Sequence, residues 1–109
     1  MKDVFFDAGH VDVGPHGSEI LKQNARWLIE HADYVVLIEG HSDYHGTHEK
    51  NEAVGLQRAK SAMLFLVKEG VSETRIQIVS YGEDRPVCRD KTPACAAKNR
   101  RVHFRVKPQ

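Results

Sequence analysis

The chain has 109 residues, 40% of them apolar and 28% charged, with a formal net charge of +1. That length gives one domain with a real core and no need of metal or disulfide staples. The composition excludes a disordered chain, and the balanced charge argues against a nucleic-acid partner, which would call for a basic excess. No apolar run approaches the roughly 20 residues that span a bilayer, and no signal peptide is visible. Met1 and Lys2 leading directly into a strand-like run suggest a chain trimmed from a longer one.

Val4–Asp7 reads as a first strand. His10–Gly17, with Gly14, Pro15 and Gly17, reads as a loop. Ser18 is the expected N-cap of a helix reaching about His31, on the helical recurrence of Ile20, Leu21, Asn24, Trp27, Leu28 and His31. Tyr34–Ile38 is nearly continuous in apolar β-formers and predicts a central strand covered on both faces, ended by Glu39 and Gly40. After a loop, His41–Glu49, a long helix is expected from about Lys50 to Glu69. Its apolar stripe is Leu56, Ala59, Ala62, Met63 and Leu66, and Gly70 is its C-terminal cap. Ser72–Thr74 is a turn and Ile76–Tyr81 a third strand with Ile76 and Ile78 inward. Gly82–Lys98 is a polar excursion, and Arg101–Val106 is a last strand with Val102, Phe104 and Val106 inward. The order β-α-β-α-β-loop-β predicts an α/β sandwich, two helices packed on one face of a small mixed sheet. Trp27 and Phe65 fit core or half-core positions better than a sugar-stacking platform.

The chemistry concentrates between Ile38 and Ala59. At 100° per residue, Asn51 and Arg58 fall about 20° apart on one helix face. Asp43 lies at the mouth of the central strand, where ligands commonly bind in open α/β sheets. An acid, an amide and a guanidinium there suit a zwitterion, its ammonium on Asp43 and its carboxylate on Arg58. The plainer alternatives are that Asp43 and Arg58 pair with each other, or that Asn51 caps the helix. His41, His45 and His48 invite a metal reading, but loop spacing does not point them together, and no metal or cofactor is expected. Asp7, Glu39 and Asp43 are too loosely related to supply paired carboxylates for hydrolysis, so no enzyme is expected. Cys88 and Cys95, seven apart, fit two free thiols or a short disulfide loop worth roughly 2–3 kcal/mol.

GHSDxxGxxxxNxxxxxxRA (Gly40–Ala59), SYGEDRP (Ser80–Pro86), KNRRV (Lys98–Val102) and the opening VFFDAG together resemble the OmpA-like C-terminal domain. Among its members the likeness is greatest to the peptidoglycan-associated lipoprotein branch. The resemblance implies non-covalent binding of peptidoglycan through the diaminopimelate of its stem peptide. It assigns the ammonium to Asp43 and the carboxylate to Arg58, with Asn51, Arg100 and Arg101 beside them and Asp7, Gly9 and His45 at the border. Gly40, His41, Gly46 and Ala59 are then structural. Val54 departs from the family's usual leucine, His45 and His48 fill variable loop slots, and Gly9 stands where some members carry a polar contact residue. The resemblance also implies a periplasmic domain attached to the outer membrane through an N-terminal anchor, a Cys88–Cys95 disulfide and a Tol-system partner. The same module serves barrel proteins and flagellar-motor stator subunits, and its N-terminal context decides among them.

Overall fold

The computed structural model describes all 109 residues. The elements are β1 (Val4–Phe5), α1 (Pro15–Glu30), β2 (Tyr34–His41), α2 (His48–Lys68), β3 (Ile76–Gly82), α3 (Pro93–Asn99) and β4 (Arg101–Pro108), with a 3-10 turn at Glu73–Arg75. The sheet order is β1-β4-β2-β3. β2 runs parallel to β3 and antiparallel to β4, and β4 is antiparallel to β1. The expected α/β sandwich with a mixed sheet is therefore the fold, with a third helix added. No helix is long and apolar enough to cross a membrane.

Alternation along the strands sets the two faces. Val36 and Ile38 of β2, Val102 and Phe104 of β4 and Ile76 of β3 point to one side. They pack there with Leu21, Ala25 and Leu28 of α1 and Ala59, Ala62 and Leu66 of α2. No helix covers the other side, where Val35 and Leu37 are only half-buried, so β2 is not covered on both faces as its apolar run suggested.

The differences at element ends have local causes. α1 starts at Pro15 with Gly14 as N-cap, four residues before the expected cap Ser18, because proline at the first helical position lacks only an N–H the helix does not use. α2 starts at His48, where Thr47 Oγ1 accepts from the Lys50 amide at 3.2 Å. It ends as expected at Gly70 (φ +108°), in a Schellman arrangement in which Val71 N donates to Leu66 O and Gly70 N to Val67 O. β1 stops at Phe5 instead of Asp7, while β2 continues through Glu39, Gly40 and His41. α3 lies inside the excursion read as loop, with Pro93 at its first turn and Thr92 Oγ1 accepting from Cys95 N. Cys88 and Cys95 form a disulfide, and Asn99 bonds the Val87 and Cys88 amides and the Cys88 carbonyl, folding the excursion back on itself.

Gly40 and Gly55 bring β2 and α2 into backbone contact. A Cβ on Gly40 would stand 1.7 Å from Gly55 O, and one on Gly55 2.3 Å from Ser80 Oγ. The helix cannot sit this low on the strand with any side chain at either position. Gly40→Ala is expected to cost at least about 3 kcal/mol in urea unfolding, an overpacking with backbone on the far side. Gly14→Ala, which meets nothing within 4 Å, should change stability by less than about 0.5 kcal/mol.

Candidate functional site: a charged cleft at the end of the central strand

Four segments meet beyond the C-terminal end of β2. The turn after β1 supplies Ala8 and Gly9, and the loop after β2 supplies Ser42, Asp43, His45 and Gly46. One face of α2 gives Lys50, Asn51, Val54 and Arg58, and the α3–β4 junction gives Arg100. They line an open cleft of about 430 Å³.

Arg58 is the deepest of these groups, 1% exposed. Its guanidinium donates to three backbone carbonyls: Nε to His10 O at 2.9 Å, one terminal nitrogen to His41 O at 2.9 Å, the other to Asp7 O at 3.3 Å. It also lies 5.2 Å from the centre of the Phe6 ring. Burial pulls its pKa down to about 10, partly offset by Asp43, so it stays cationic at neutral pH. Five N–H donors less three bonds leave two for a ligand.

Asp43 is 9% exposed. Oδ1 accepts from the His45 amide at 3.0 Å and faces His45 Nδ1 at 3.2 Å, while Oδ2 accepts from Arg100 at 3.1 Å. Burial pushes the carboxyl up, but the His45 amide, Arg100 and the His45 ring together hold it below the ordinary aspartate range. Arg100 is held in turn by a bond from its Nε to Phe6 O at 2.9 Å. Asp43 thus pairs with Arg100, and Arg58 is spent on carbonyls, so the two do not form the mutual pair that was the plainer reading. Asn51 does not cap α2 either. Its amide donates to Glu83, tying the helix to the loop after β3. Gly46, at φ +89°, turns the loop beside Asn51, where a side chain would be strained.

Asp43, Arg58, Asn51, Arg100, Gly9 and His45 therefore converge on one cleft. Two expected residues do not line it. Asp7 contributes its backbone carbonyl to Arg58, and its exposed side chain faces a neighbouring hollow. Arg101 is on the opposite, open face of the sheet with Asp3, Glu39, His41 and His103. Arg100, just before β4, and Arg101, its first residue, point to opposite sides, so only Arg100 reaches the cleft. Lys50, Ser42 and Ala8 also line the cleft, as does Val54, which the sequence marked only as a departure from the family's leucine. Lys50 and Val54 had a readable signal, being eight and four residues before Arg58 on the same helix.

The three loop histidines separate. His41 is buried on the open sheet face, His45 sits on Asp43, and His48 bonds Glu83 at 2.7 Å. The carboxylates separate too, since Glu39 accepts from Arg105 at 2.5 Å on the open face. Ala59, fully buried beneath Arg58, and Gly40 serve packing.

An α/β sandwich with an acid and a buried guanidinium in a cleft at its central strand is the class of domain this geometry defines. Residues 5–100 match the model of the OmpA family, and the chain belongs to that family. It is 38% identical over 91% of its length to a peptidoglycan-associated lipoprotein of Mesorhizobium japonicum, and 39% identical over 93% to that of Pseudomonas aeruginosa. It spans 59% and 60% of those relatives, respectively. The peptidoglycan-associated lipoprotein from Burkholderia pseudomallei superposes with a TM-score of 0.94 at 32% identity, covering 98% of this chain and 91% of that one. The C-terminal domain of Helicobacter pylori MotB shares the fold at a TM-score of 0.90 and 18% identity, covering 100% and 86%.

His41 supplies a pH prediction. Burial, then Arg101, lower its pKa from 6.5 to about 4, against the raising effect of Glu39. The folded-state value is below the unfolded one, so the unfolded chain takes up the proton first and stability falls as pH drops from 6.5 towards 4. Urea unfolding should show about 2 kcal/mol lost to this group between pH 7 and pH 5. His41→Gln should flatten that slope, whatever its own effect at pH 7.

Proposed function

We propose that the cleft binds peptidoglycan non-covalently, holding the free zwitterionic end of diaminopimelate in the stem peptide. The ammonium sits on Asp43, whose oxygens keep lone pairs free beside the bonds from His45 and Arg100. The carboxylate lies on the two unspent N–H groups of Arg58, with Arg100 adjacent. Asn51 and the backbone of Gly9 complete the wall. The observation that carries this reading is the pairing of an aspartate held ionised with a buried cation whose position is set by three carbonyls. Both partners are oriented before the ligand arrives, so little ordering cost opposes binding.

The mechanism is recognition with no bond made or broken. Asp43 is the one carboxylate lining the cleft, which gives hydrolysis no acid–base pair. The relatives named as peptidoglycan-associated lipoproteins support a role in tethering the outer membrane to the cell wall from the periplasm. In that reading the domain acts in a Tol–Pal type system, with an anchor carried outside these residues and a Tol-system protein as partner. Affinity per domain is moderate, and many copies on one membrane facing one polymer supply avidity.

Co-sedimentation with purified sacculi tests the site. Asp43→Asn should bind at least about tenfold more weakly, because it removes the charge that meets the ammonium. Its circular dichroism spectrum should stay that of the parent. Arg58→Ala is a poorer probe. It strands three carbonyls and should lower stability by about 3 kcal/mol or more. Arg58→Lys keeps a charge but not the fork, and is expected to fold while binding weakly. Parent-level sedimentation of Asp43→Asn would sink the assignment.

A further inference from the structure

The cleft carries more positive charge than one zwitterion needs. Its lining has one acid, Asp43, against three fixed cations, Lys50, Arg58 and Arg100. Asp43 offsets Arg100, which leaves two positive charges in excess, on Arg58 and Lys50, and a zwitterion with its ammonium on Asp43 and its carboxylate on Arg58 does not reduce that excess. Lys50 is left over. It is exposed, and none of the ion pairs of the domain includes it. It also stands in the first turn of α2, just inside the Thr47 cap, where the helix dipole favours negative charge. A cation there gains nothing from the helix, whereas an anion brought to it gains from both.

Position narrows what that anion is. Lys50, Val54 and Arg58 follow one another at four-residue steps and all three line the cleft. Lys50 and Arg58 are therefore separated by about 12 Å along the helix axis, with an apolar side chain between them. We propose that Lys50 is a specificity-determining residue that takes a second free carboxylate of the same stem peptide, with the ligand's aliphatic chain lying across Val54. This rests on the reading that the cleft holds the diaminopimelate zwitterion. The ligand class is then a peptide with one ammonium and two carboxylates. A stem peptide has two sources for the second: the α-carboxylate of its γ-linked D-glutamate, and its C-terminal carboxylate.

The test is a titration of the 109-residue chain with four soluble muropeptides: both carboxylates free, the D-glutamate α-carboxylate amidated, the C-terminus amidated, and both amidated. Diaminopimelate is intact in all four. The parent should lose about threefold to fivefold in affinity when one of the two is amidated, and the arm that loses identifies the source. Lys50→Gln should bind the free muropeptide more weakly by the same factor, no longer discriminate among the four, and show a shallower salt dependence. Its urea midpoint should not move. Equal parent affinity for all four, or a Lys50→Gln protein that still discriminates, would overturn the role of Lys50 while leaving the zwitterion site standing. No binding of any muropeptide by the parent, or undiminished binding by Asp43→Asn, would overturn the zwitterion reading and this inference with it.

Discussion

Everything at the cleft end of the domain depends on a guanidinium buried among backbone carbonyls. Arg58 is taken out of water by the packing of α2, which costs several kcal/mol unless its donors are used. Three are, by the carbonyls of Asp7, His10 and His41. Those acceptors come from the turn after β1 and the end of β2, so one side chain fixes a helix, a turn and a strand relative to each other. The carbonyls gain as much, because chain ends leaving the sheet would otherwise carry buried acceptors without donors. Arg75 does the same at the opposite end, donating to the carbonyls of Leu28, His31 and Tyr34 where α1 passes into β2. The difference is exposure to the cleft. Arg58 lines a hollow that also contains an ionised aspartate, and its remaining donors have no partner in the protein.

The same strands carry a second charged group on the other face. Glu39, His41, Arg101 and Asp3 gather there, and His41 is kept neutral by burial and by Arg101. Alternation makes this separation unavoidable. In β2, Gly40 meets α2 while Glu39 and His41 turn away from it. Just before β4, Arg100 holds Asp43, while Arg101, the first residue of the strand, faces Asp3 at 3.4 Å. One stretch of sequence thus serves two sides of a sheet, and a register slip of one residue would exchange the residues of the cleft for those of a structural ion cluster.

Much of this was legible in the chain. The helical recurrence before His31 and after Lys50, the alternation of the last two strands and the glycine at position 70 gave the architecture. The phase of α2 placed Asn51 and Arg58 together. What was not legible has physical reasons. A proline reads as a breaker in sequence, although at a first helical position, as at 15 and 93, it starts a helix. The run 34–38 looked like a strand buried on both sides, because periodicity cannot tell a covered face from one screened by long polar side chains such as Arg105. The family resemblance named both Arg100 and Arg101, and only strand geometry divides them. An exposed lysine in a first turn, such as Lys50, reads as a solvated surface residue until the cleft beside it is seen.

If Asp43 and Arg58 read a zwitterion as one unit, the ammonium and the carboxylate of the ligand must both be present for full affinity. The direct measurement is the affinity of the domain for two muropeptides that differ only in the third residue, one with diaminopimelate and one with lysine, which keeps the ammonium and lacks the carboxylate. The lysine form is then expected to bind at least about tenfold more weakly, with the Arg58 Nε–H resonance shifting on addition of the diaminopimelate form alone. Equal affinity for the two, with Arg58 unmoved by either, would contradict it.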